Sequence, residues 1–101
     1  MILRWLPRAI ADRDAQLDFI AQDNISAAIE QGDRIEAHVM RLVEHPKIGR
    51  AGRKKGTREL VVSRTAFIVV YRIDDENQII QILRLLHGAQ QWPPEKNRKS
   101  V

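Results

Sequence analysis

The stretch RELVVSRTAFIVVYRIDDENQIIQILRLL, residues 58–86, decides the fold of this 101-residue chain. It contains three runs rich in Val, Ile and Leu, at residues 58–62, 66–73 and 78–86. The connection between the first two runs is short, and the connection between the last two is the polar turn cluster Asp74-Asp-Glu-Asn77. Short apolar runs separated by tight polar turns are typical of antiparallel hairpins. The sequence therefore predicts an antiparallel meander of three strands.

Upstream of the meander, the apolar residues recur at helical spacing. A first helix is predicted over residues 8–21, where Ile10, Leu17, Ile20 and Ala21 recur along it. The stripe of the second helix consists of Ala28, Ile29, Gly32, Ile35, Val39 and Leu42. Asn24 is a suitable N-cap for this second helix, and His45-Pro46 is expected to end it. The short connection between the two helices predicts a helical hairpin.

The segment before the helices completes the predicted fold. Ile2–Leu6 is short and mostly apolar, which suits a strand, and Pro7 fits the first turn of the helix that follows. The expected class is α+β, with the helical hairpin covering one face of the sheet. We expect one domain over residues 1–92 and a polar, flexible tail over residues 93–101.

Composition narrows the classes of function. The chain has no cysteine, so disulfide frameworks, thiol catalysis and thiolate zinc sites are excluded. The apolar N-terminus is too short for a signal peptide, and no window reaches the roughly 18 apolar residues of a transmembrane helix. We therefore expect a cytoplasmic protein that does not enter membranes. No cofactor motif is present, and no cofactor or metal is predicted.

Charge is distributed unevenly along the chain. Residues 1–45 carry five Arg and eight acidic residues, a net charge of −3, whereas residues 46–101 carry twelve basic and five acidic residues, a net charge of +7; together they give the overall +4. A basic half on a small domain indicates an anionic partner, either nucleic acid or an acidic protein segment. Composition does not distinguish between these two.

The basic residues are concentrated in a glycine-containing loop, predicted over residues 46–57. Six of the twelve positions from 47 to 58 are basic: Lys47, Arg50, Arg53, Lys54, Lys55 and Arg58. The loop lacks the GxxxxGK[ST] spacing of a Walker loop, and a strand follows it instead of a helix. We consider two interpretations, a solvated loop or a surface for an anionic target. A local Arg58–Glu59 ion pair is a further expectation.

Several histidines and aromatic residues are candidates for function. His87 ends the last strand, and it is either a structural histidine or a group that contacts a target. His38 and His45 lack metal-ligand spacing and are expected to be solvated. Tyr71 is expected to be half-buried, and Trp92 to cap the edge of the core or to anchor a partner.

Four motifs in this order resemble the RelE/ParE superfamily of toxins from type II toxin–antitoxin systems, and more closely its ParE-like branch. They are His45-Pro-Lys-Ile-Gly-Arg50, Gly56-Thr-Arg-Glu-Leu60, Ile68-Val-Val-Tyr-Arg-Ile73 and Ile82-Leu-Arg-Leu-Leu-His-Gly-Ala-Gln-Gln-Trp-Pro93. The resemblance covers the chain from Trp5 to Pro93. It implies a cognate antitoxin whose disordered segment folds on the toxin. It also implies one of two activities, inhibition of DNA gyrase or cleavage of messenger RNA on the ribosome.

Cleavage of RNA without a metal requires a base, an acid and positive charge at the phosphate. The candidates in this sequence are His87 as acid or base, with Arg58, Arg72 and Arg84 as phosphate ligands. The ribosome-dependent branch that the chain resembles carries basic residues on its central strands, whereas this chain has Ile68 there. The leading hypothesis is therefore a gyrase inhibitor that performs no chemistry. The alternatives are a metal-independent endoribonuclease and a non-toxic co-repressor that only binds antitoxin.

The partner-binding residues follow from these hypotheses. A target or another anion is expected to contact the basic loop residues together with His87 and Trp92. The antitoxin-binding residues are not identified by the sequence, although the flank of the helical hairpin and an unpaired sheet edge are natural places for them. Side chains are expected to alternate between the two faces of the last strand, and the sequence does not decide which face the helices cover.

Overall fold

The computed structural model describes residues 1–88 and 90–93. The helices are α1 (Pro7–Asp23) and α2 (Ile25–Arg41). The strands are β1 (Ile2–Trp5), β2 (Arg50–Ala51), β3 (Arg58–Val61), β4 (Phe67–Asp74) and β5 (Ile79–His87). The predicted α+β class is confirmed. The predicted tail lies outside the described residues from position 94 onward.

All five strands form one mixed sheet in the order β1-β5-β4-β3-β2. The predicted meander is present, since β3 pairs with β4 and β4 with β5, both antiparallel. β1 joins the sheet beside β5 and runs parallel to it. Parallel neighbouring strands need a long crossover connection, and here the helical hairpin and the meander provide it. The prediction of an unbroken loop over residues 46–57 was wrong, because Arg50–Ala51 pairs with Arg58 and Glu59 as the fifth strand.

The two helices form the predicted hairpin, with different bounds and with one residue of the predicted apolar stripe exposed. Asn24 is the N-cap of α2, and its side chain accepts a hydrogen bond from the Ala27 N–H at 3.0 Å. α2 ends at Arg41, before the expected His45-Pro46. Ile29 was wrongly assigned to the buried stripe, because its side chain is 61% exposed. The apolar stripe is wider than the face that the sheet covers.

The core lies between the helices and one face of the sheet. Ile35 and Val39 of α2 pack with Ile82 and Leu85 of β5, and all four are buried. A bulge shifts the β4–β5 register, so that Arg84 lies opposite Val70 and Ile82 lies opposite Tyr71. Strict alternation along β5 was therefore a wrong expectation, because the extra residue at the bulge changes which side chains face the helices.

Where β1 ends, side chains of α1 form hydrogen bonds with the backbone at the edge of β5. β1 pairs with β5 as far as Ile82. Beyond that point, the Leu85 N–H donates to Asp12 Oδ2 at 2.9 Å, and Gln16 Nε2 donates to the Leu85 carbonyl oxygen at 2.8 Å. These bonds satisfy backbone groups that a strand edge would otherwise leave unpaired.

Candidate functional site

The basic loop is held against the sheet by Tyr71 of β4. The Tyr71 hydroxyl donates to the Pro46 carbonyl oxygen at 2.6 Å and accepts from the Gly49 N–H at 2.9 Å. Burial raises the pKa of Tyr71, although the Gly49 N–H and the Arg58 charge act in the opposite direction. A Cβ atom at Gly49 would lie 2.6 Å from this hydroxyl oxygen, so only glycine fits there. Tyr71 is fully buried, not half-buried as expected.

Glu59 of β3 is the second residue that holds the basic loop against the sheet, and its side chain is 0% exposed. Its carboxylate accepts hydrogen bonds from Arg53 Nε at 3.0 Å, from the Arg53 N–H at 2.9 Å and from Arg50 Nη2 at 3.2 Å. Burial alone would raise the pKa of Glu59, but the hydrogen bonds from Arg53 and Arg50 outweigh it and the pKa is lowered. The buried carboxylate of Glu59 thus binds Arg50 and Arg53 of the loop to β3.

The expected Arg58–Glu59 ion pair was wrong. Successive side chains of a strand point to opposite faces, so neighbours in β3 do not meet. Arg58 instead donates from Nη1 to the carbonyl oxygen of Gly49 at 2.8 Å and to that of Lys47 at 3.3 Å. Three of the six basic side chains in the loop, those of Arg50, Arg53 and Arg58, are therefore engaged in holding the loop itself.

The three lysines of the loop are exposed. Lys54 and Lys55 lie in a tight turn, where Thr57 donates to the Lys54 carbonyl oxygen from its N–H at 3.1 Å and from its hydroxyl at 2.5 Å. Gly56 has a φ of +84°, which favours glycine at this position. The turn therefore presents Lys54 and Lys55 from an ordered backbone, and Lys47 lies before the strand β2.

Arg84 is buried in an ion pair with α1. Its Nε and Nη2 atoms donate to the two carboxylate oxygens of Asp12 at 2.7 and 3.2 Å, and the two side chains are only 9% and 12% exposed. The Trp92 ring lies on the same guanidinium, with 5.4 Å between Arg84 Cζ and the ring centroid. Lys54 Nζ lies 5.9 Å from that centroid. Trp92 therefore bridges the basic loop and the buried pair.

His87 lies at the other end of the sheet. Its exposed ring meets Phe67 edge to face, with 6.3 Å between the ring centroids. Both residues line a cavity of about 410 Å³ between the helical hairpin and the end of β4, together with Phe19, Ile20 and Gln31. The cavity wall is mostly apolar, with amide, hydroxyl and imidazole groups at its margin.

The residues of the endoribonuclease hypothesis are not brought together. In β4, Phe67 is the partner of His87 and Tyr71 is the partner of Arg58, so four residues separate the two positions, or about 13 Å along the strand. Arg72 lies farther along β4 and donates to Gln81 Oε1 at 2.6 Å. The buried Asp12 carboxylate binds Arg84.

His38 makes a structural contact that the sequence analysis missed. It was expected to be solvated, yet it joins α2 to the turn after β3. Its Nδ1 lies 2.8 Å from the Arg34 carbonyl oxygen, and the Ser63 N–H donates to its Nε2 at 3.2 Å. A neutral imidazole with the proton on Nδ1 fits both contacts. Only the pairing of α2 with this turn reveals the role, since the sequence gives no local signal for it.

Two further observations concern metals and membranes. Within residues 1–88 and 90–93, no group of three or more His, Asp or Glu side chains is arranged to hold a metal ion. No helix in the same ranges is both long enough and apolar enough to span a bilayer.

A second groove lies on the outer face of the helical hairpin, with a volume of about 390 Å³. Ile25 and Ile29 of α2 are 66% and 61% exposed along it, and Leu17 of α1 forms part of its floor. Asp18 and Asp33 line it as well. The sequence signal for this groove is the run of apolar residues at helical spacing that we attributed to the core alone.

Comparison with known proteins supports one family. Residues 3–92 match the ParE toxin of the type II toxin–antitoxin system parDE. A candidate toxin of Sinorhizobium fredii is 40% identical over 91 residues, which cover 90% of this chain and 92% of that protein.

Solved structures give the same assignment. A chain of the chromosomal ParDE toxin–antitoxin system from P. aeruginosa superposes with a TM-score of 0.76 at 30% identity, over 86% of this chain and 95% of that one. A chain of the E. coli RelBE complex shares the fold, with a TM-score of 0.61 at 15% identity over 89% of this chain and 98% of that one. With the match over residues 3–92, these likenesses show that the chain belongs to the ParE toxin family of type II toxin–antitoxin systems.

Proposed function

We propose that this toxin arrests growth by binding and inhibiting DNA gyrase in the cytoplasm, without catalysing a reaction itself. The observation that carries the proposal is the separation of the candidate acid–base and phosphate-binding groups. Metal-independent RNA cleavage needs a proton-transfer group and cationic groups around one phosphate. Here His87 and Arg58 lie about 13 Å apart along the sheet, estimated from the strand rise.

The arginines support this argument because their guanidinium N–H groups already donate hydrogen bonds within the protein. Arg84 is bound to Asp12 by two hydrogen bonds, and Arg58 donates to backbone carbonyl groups of the loop. Moving Arg84 to a substrate phosphate would leave the Asp12 carboxylate, which is only 12% exposed, without this partner. Breaking such a pair is costly, at about 3–5 kcal/mol. A binding protein fits these residues better than a nuclease does.

We infer that a cognate antitoxin neutralises the toxin, and its partner surface is the outer groove of the helical hairpin. The similar chains from P. aeruginosa and E. coli belong to toxin–antitoxin systems. The groove is lined by the exposed isoleucines Ile25 and Ile29 and by the carboxylates of Asp18 and Asp33. An amphipathic helix with an apolar face and flanking Lys or Arg side chains complements such a groove.

The antitoxin site is tested with two matched substitutions. Ile29→Lys places a cation in the groove, whereas Val61→Lys places one on β3, at a side chain that is also about half exposed. We expect Ile29→Lys to weaken binding of the cognate antitoxin at least tenfold, as for a buried apolar anchor, and Val61→Lys to leave it unchanged. Equal effects of the two substitutions on the dissociation constant would exclude the groove.

Growth arrest by gyrase inhibition is tested in one culture. Labelled thymidine and labelled methionine are added together, and their incorporation is followed over minutes after induction of the toxin. We expect thymidine incorporation to fall first, because replication depends on supercoiling. An earlier fall in methionine incorporation would contradict the proposal and favour action on the ribosome. No change in either would leave a protein that binds antitoxin without being toxic.

A further inference from the structure

We propose that the basic loop is a pre-organised site for the phosphate backbone of DNA. In this site Lys47, Lys54 and Lys55 bind phosphates, and the buried Glu59 is the positioning residue that fixes the loop. The inference rests on the proposed function only in that DNA is the polyanion present where gyrase acts.

The internal bonds of the loop separate its cations into two groups. The guanidinium groups of Arg50 and Arg53 are bound to Glu59, and that of Arg58 is bound to backbone carbonyl oxygens. The three lysine residues are exposed, and Lys54 Nζ lies 5.9 Å from the centroid of the Trp92 ring. A count of six cations in twelve residues therefore overstates what the loop offers to a partner. The side chains of Arg50 and Arg53 are 60% and 41% exposed but already bound to Glu59, so the lysines are the cations that an external anion meets without breaking these bonds.

The backbone of the loop is ordered before any partner binds. Tyr71 holds Pro46 and Gly49, Glu59 holds Arg53 through both its N–H and its side chain, and the Gly52 N–H donates to the Thr57 carbonyl oxygen at 2.8 Å. Ordering a loop on binding costs affinity, so a loop that is already ordered binds more tightly. Glu59 thus acts on the anion through the lysines, without touching it.

The loop offers a partner compact ammonium charges instead of arginine forks. The planar fork of arginine binds carboxylate and phosphate groups in a bidentate way, and the forks of this loop are occupied by Glu59 and by carbonyl groups. Lysine contributes a compact charge on a flexible stem, which suits the regular, sequence-independent phosphates of a duplex. The net charge of +7 over residues 46–101 adds long-range attraction to such a polyanion.

Glu59→Gln distinguishes positioning from simple charge, because the two accounts predict opposite signs. The substitution removes one negative charge from a cationic loop and releases two arginines, so charge alone would tighten binding to DNA. Positioning predicts weaker binding, by about tenfold, because the lysines lose their fixed backbone. Glu76→Gln is the control, since it removes the same charge from the exposed β4–β5 turn. We expect Glu76→Gln to leave binding unchanged or slightly tighter.

A triple substitution tests the lysines themselves. Lys47, Lys54 and Lys55 are replaced together by Gln, and the control replaces three exposed arginines outside the loop, Arg4, Arg41 and Arg64, by Gln. The net charges of the two variants are equal. Binding of a fluorescein-labelled 30-base-pair duplex is followed by anisotropy between roughly 50 and 200 mM salt. Each phosphate contact contributes about 0.9 to the slope of log K against log salt concentration.

In the lysine variant, we expect the magnitude of this slope to decrease by about 2.7, because three phosphate contacts are lost. In the arginine control, the slope should stay near the wild-type value. Equal slopes in the two variants, or tighter binding by Glu59→Gln, would overturn the inference. Loss of antitoxin binding in the lysine variant with DNA binding intact would also overturn it, in favour of an acidic protein segment. The lysine variant alters only exposed side chains, so it carries the test if Glu59→Gln does not fold.

The same proteins are assayed for inhibition of gyrase, which separates the two proposals. If the wild type inhibits supercoiling but the lysine variant binds the duplex with the same slope as the arginine control, the DNA site is wrong and the proposed function stands. If the wild type binds the duplex through the lysines without inhibiting gyrase, the DNA site stands and the proposed function is wrong.

Discussion

The buried Asp12–Arg84 pair gives the most quantitative prediction for this protein. Asp12→Asn keeps an oxygen that accepts the Leu85 N–H but removes the charge that balances Arg84. Both partners are close to 10% exposed and are joined at 2.7 and 3.2 Å, so solvent screening is slight. Removal of one partner from a buried pair costs about 3–5 kcal/mol. The asparagine still offers one oxygen to Arg84, so we expect the lower end, about 3 kcal/mol.

The assay is urea unfolding followed by circular dichroism, for four proteins that form a double-mutant cycle. They are the wild type, Asp12→Asn, Arg84→Met and the double variant. A loss of about 3 kcal/mol is a large part of the 5–15 kcal/mol that stabilises a typical domain. The double variant contains no unbalanced charge, so we expect it to be more stable than the sum of the single losses predicts, by at least about 1 kcal/mol.

The reasoning is refuted by either of two results. One is a loss below about 1 kcal/mol for Asp12→Asn, the value expected for an exposed pair. The other is additive behaviour in the cycle, which would mean that the two side chains do not interact. The cycle also bears on function. We expect the folded double variant still to arrest growth, since Arg84 is a structural residue in this account, whereas loss of toxicity would return it to the phosphate-binding candidates.

Three further predictions concern single side chains. Tyr71→Phe leaves the Gly49 N–H and the Pro46 carbonyl group unpaired in a buried position, and we expect a loss of about 1–3 kcal/mol in urea unfolding; an unchanged midpoint would show that the loop is not held there. The folded-state pKa of Glu59 lies below 4.5, so its contribution is fully present above about pH 4.5 and is lost as pH falls through the lowered pKa. The stability difference between wild type and Glu59→Gln should therefore shrink between pH 7 and pH 3, and a constant difference would contradict this assignment. We expect His87→Gln to keep full growth arrest in induced cultures, because His87 lies at the other end of the sheet from the basic loop; loss of arrest would make His87 either a contact for the target or a group of the nuclease.

The sequence was informative where structure follows from local chemistry. Asn24 caps α2 because its side-chain oxygen reaches the Ala27 N–H, a contact set by three residues of spacing. The polar cluster at 74–77 forms a turn, in which the Asn77 N–H donates to Asp74 Oδ1 at 3.2 Å. Alternating apolar runs on either side then pair as predicted. Short-range patterns of this kind fix the elements and their order.

Contacts between distant segments could not be predicted in the same way. Glu59 is beside Arg58 in the sequence, but the pleat of β3 turns it towards Arg53 and Arg50, which a two-residue strand brings back onto β3. The pairing of Asp12 with Arg84 spans 72 positions and depends on α1 lying beside the end of β5. Counting charges along the sequence therefore located the basic segment but paired Arg58 and Glu59 with each other instead of with their actual partners.

The exposed isoleucines of α2 illustrate a related limit. A helical stripe predicts that a face is apolar, but not what covers it. Ile35 and Ala28 are buried, whereas Ile29 is 61% exposed. Ile29 is six residues from Ile35, which places it about 240° around the helix, on a side that the core does not cover. The same apolar pattern thus includes residues of the core and an exposed isoleucine, which we propose as part of a partner surface.

The most direct test of the central claim uses the purified toxin, DNA gyrase, ATP and a relaxed plasmid. The account predicts that the wild-type toxin abolishes supercoiling in proportion to its concentration, that the cognate antitoxin restores it, and that His87→Gln inhibits as the wild type does. Normal supercoiling at saturating toxin, with cleavage of messenger RNA when ribosomes are supplied instead, would contradict the account.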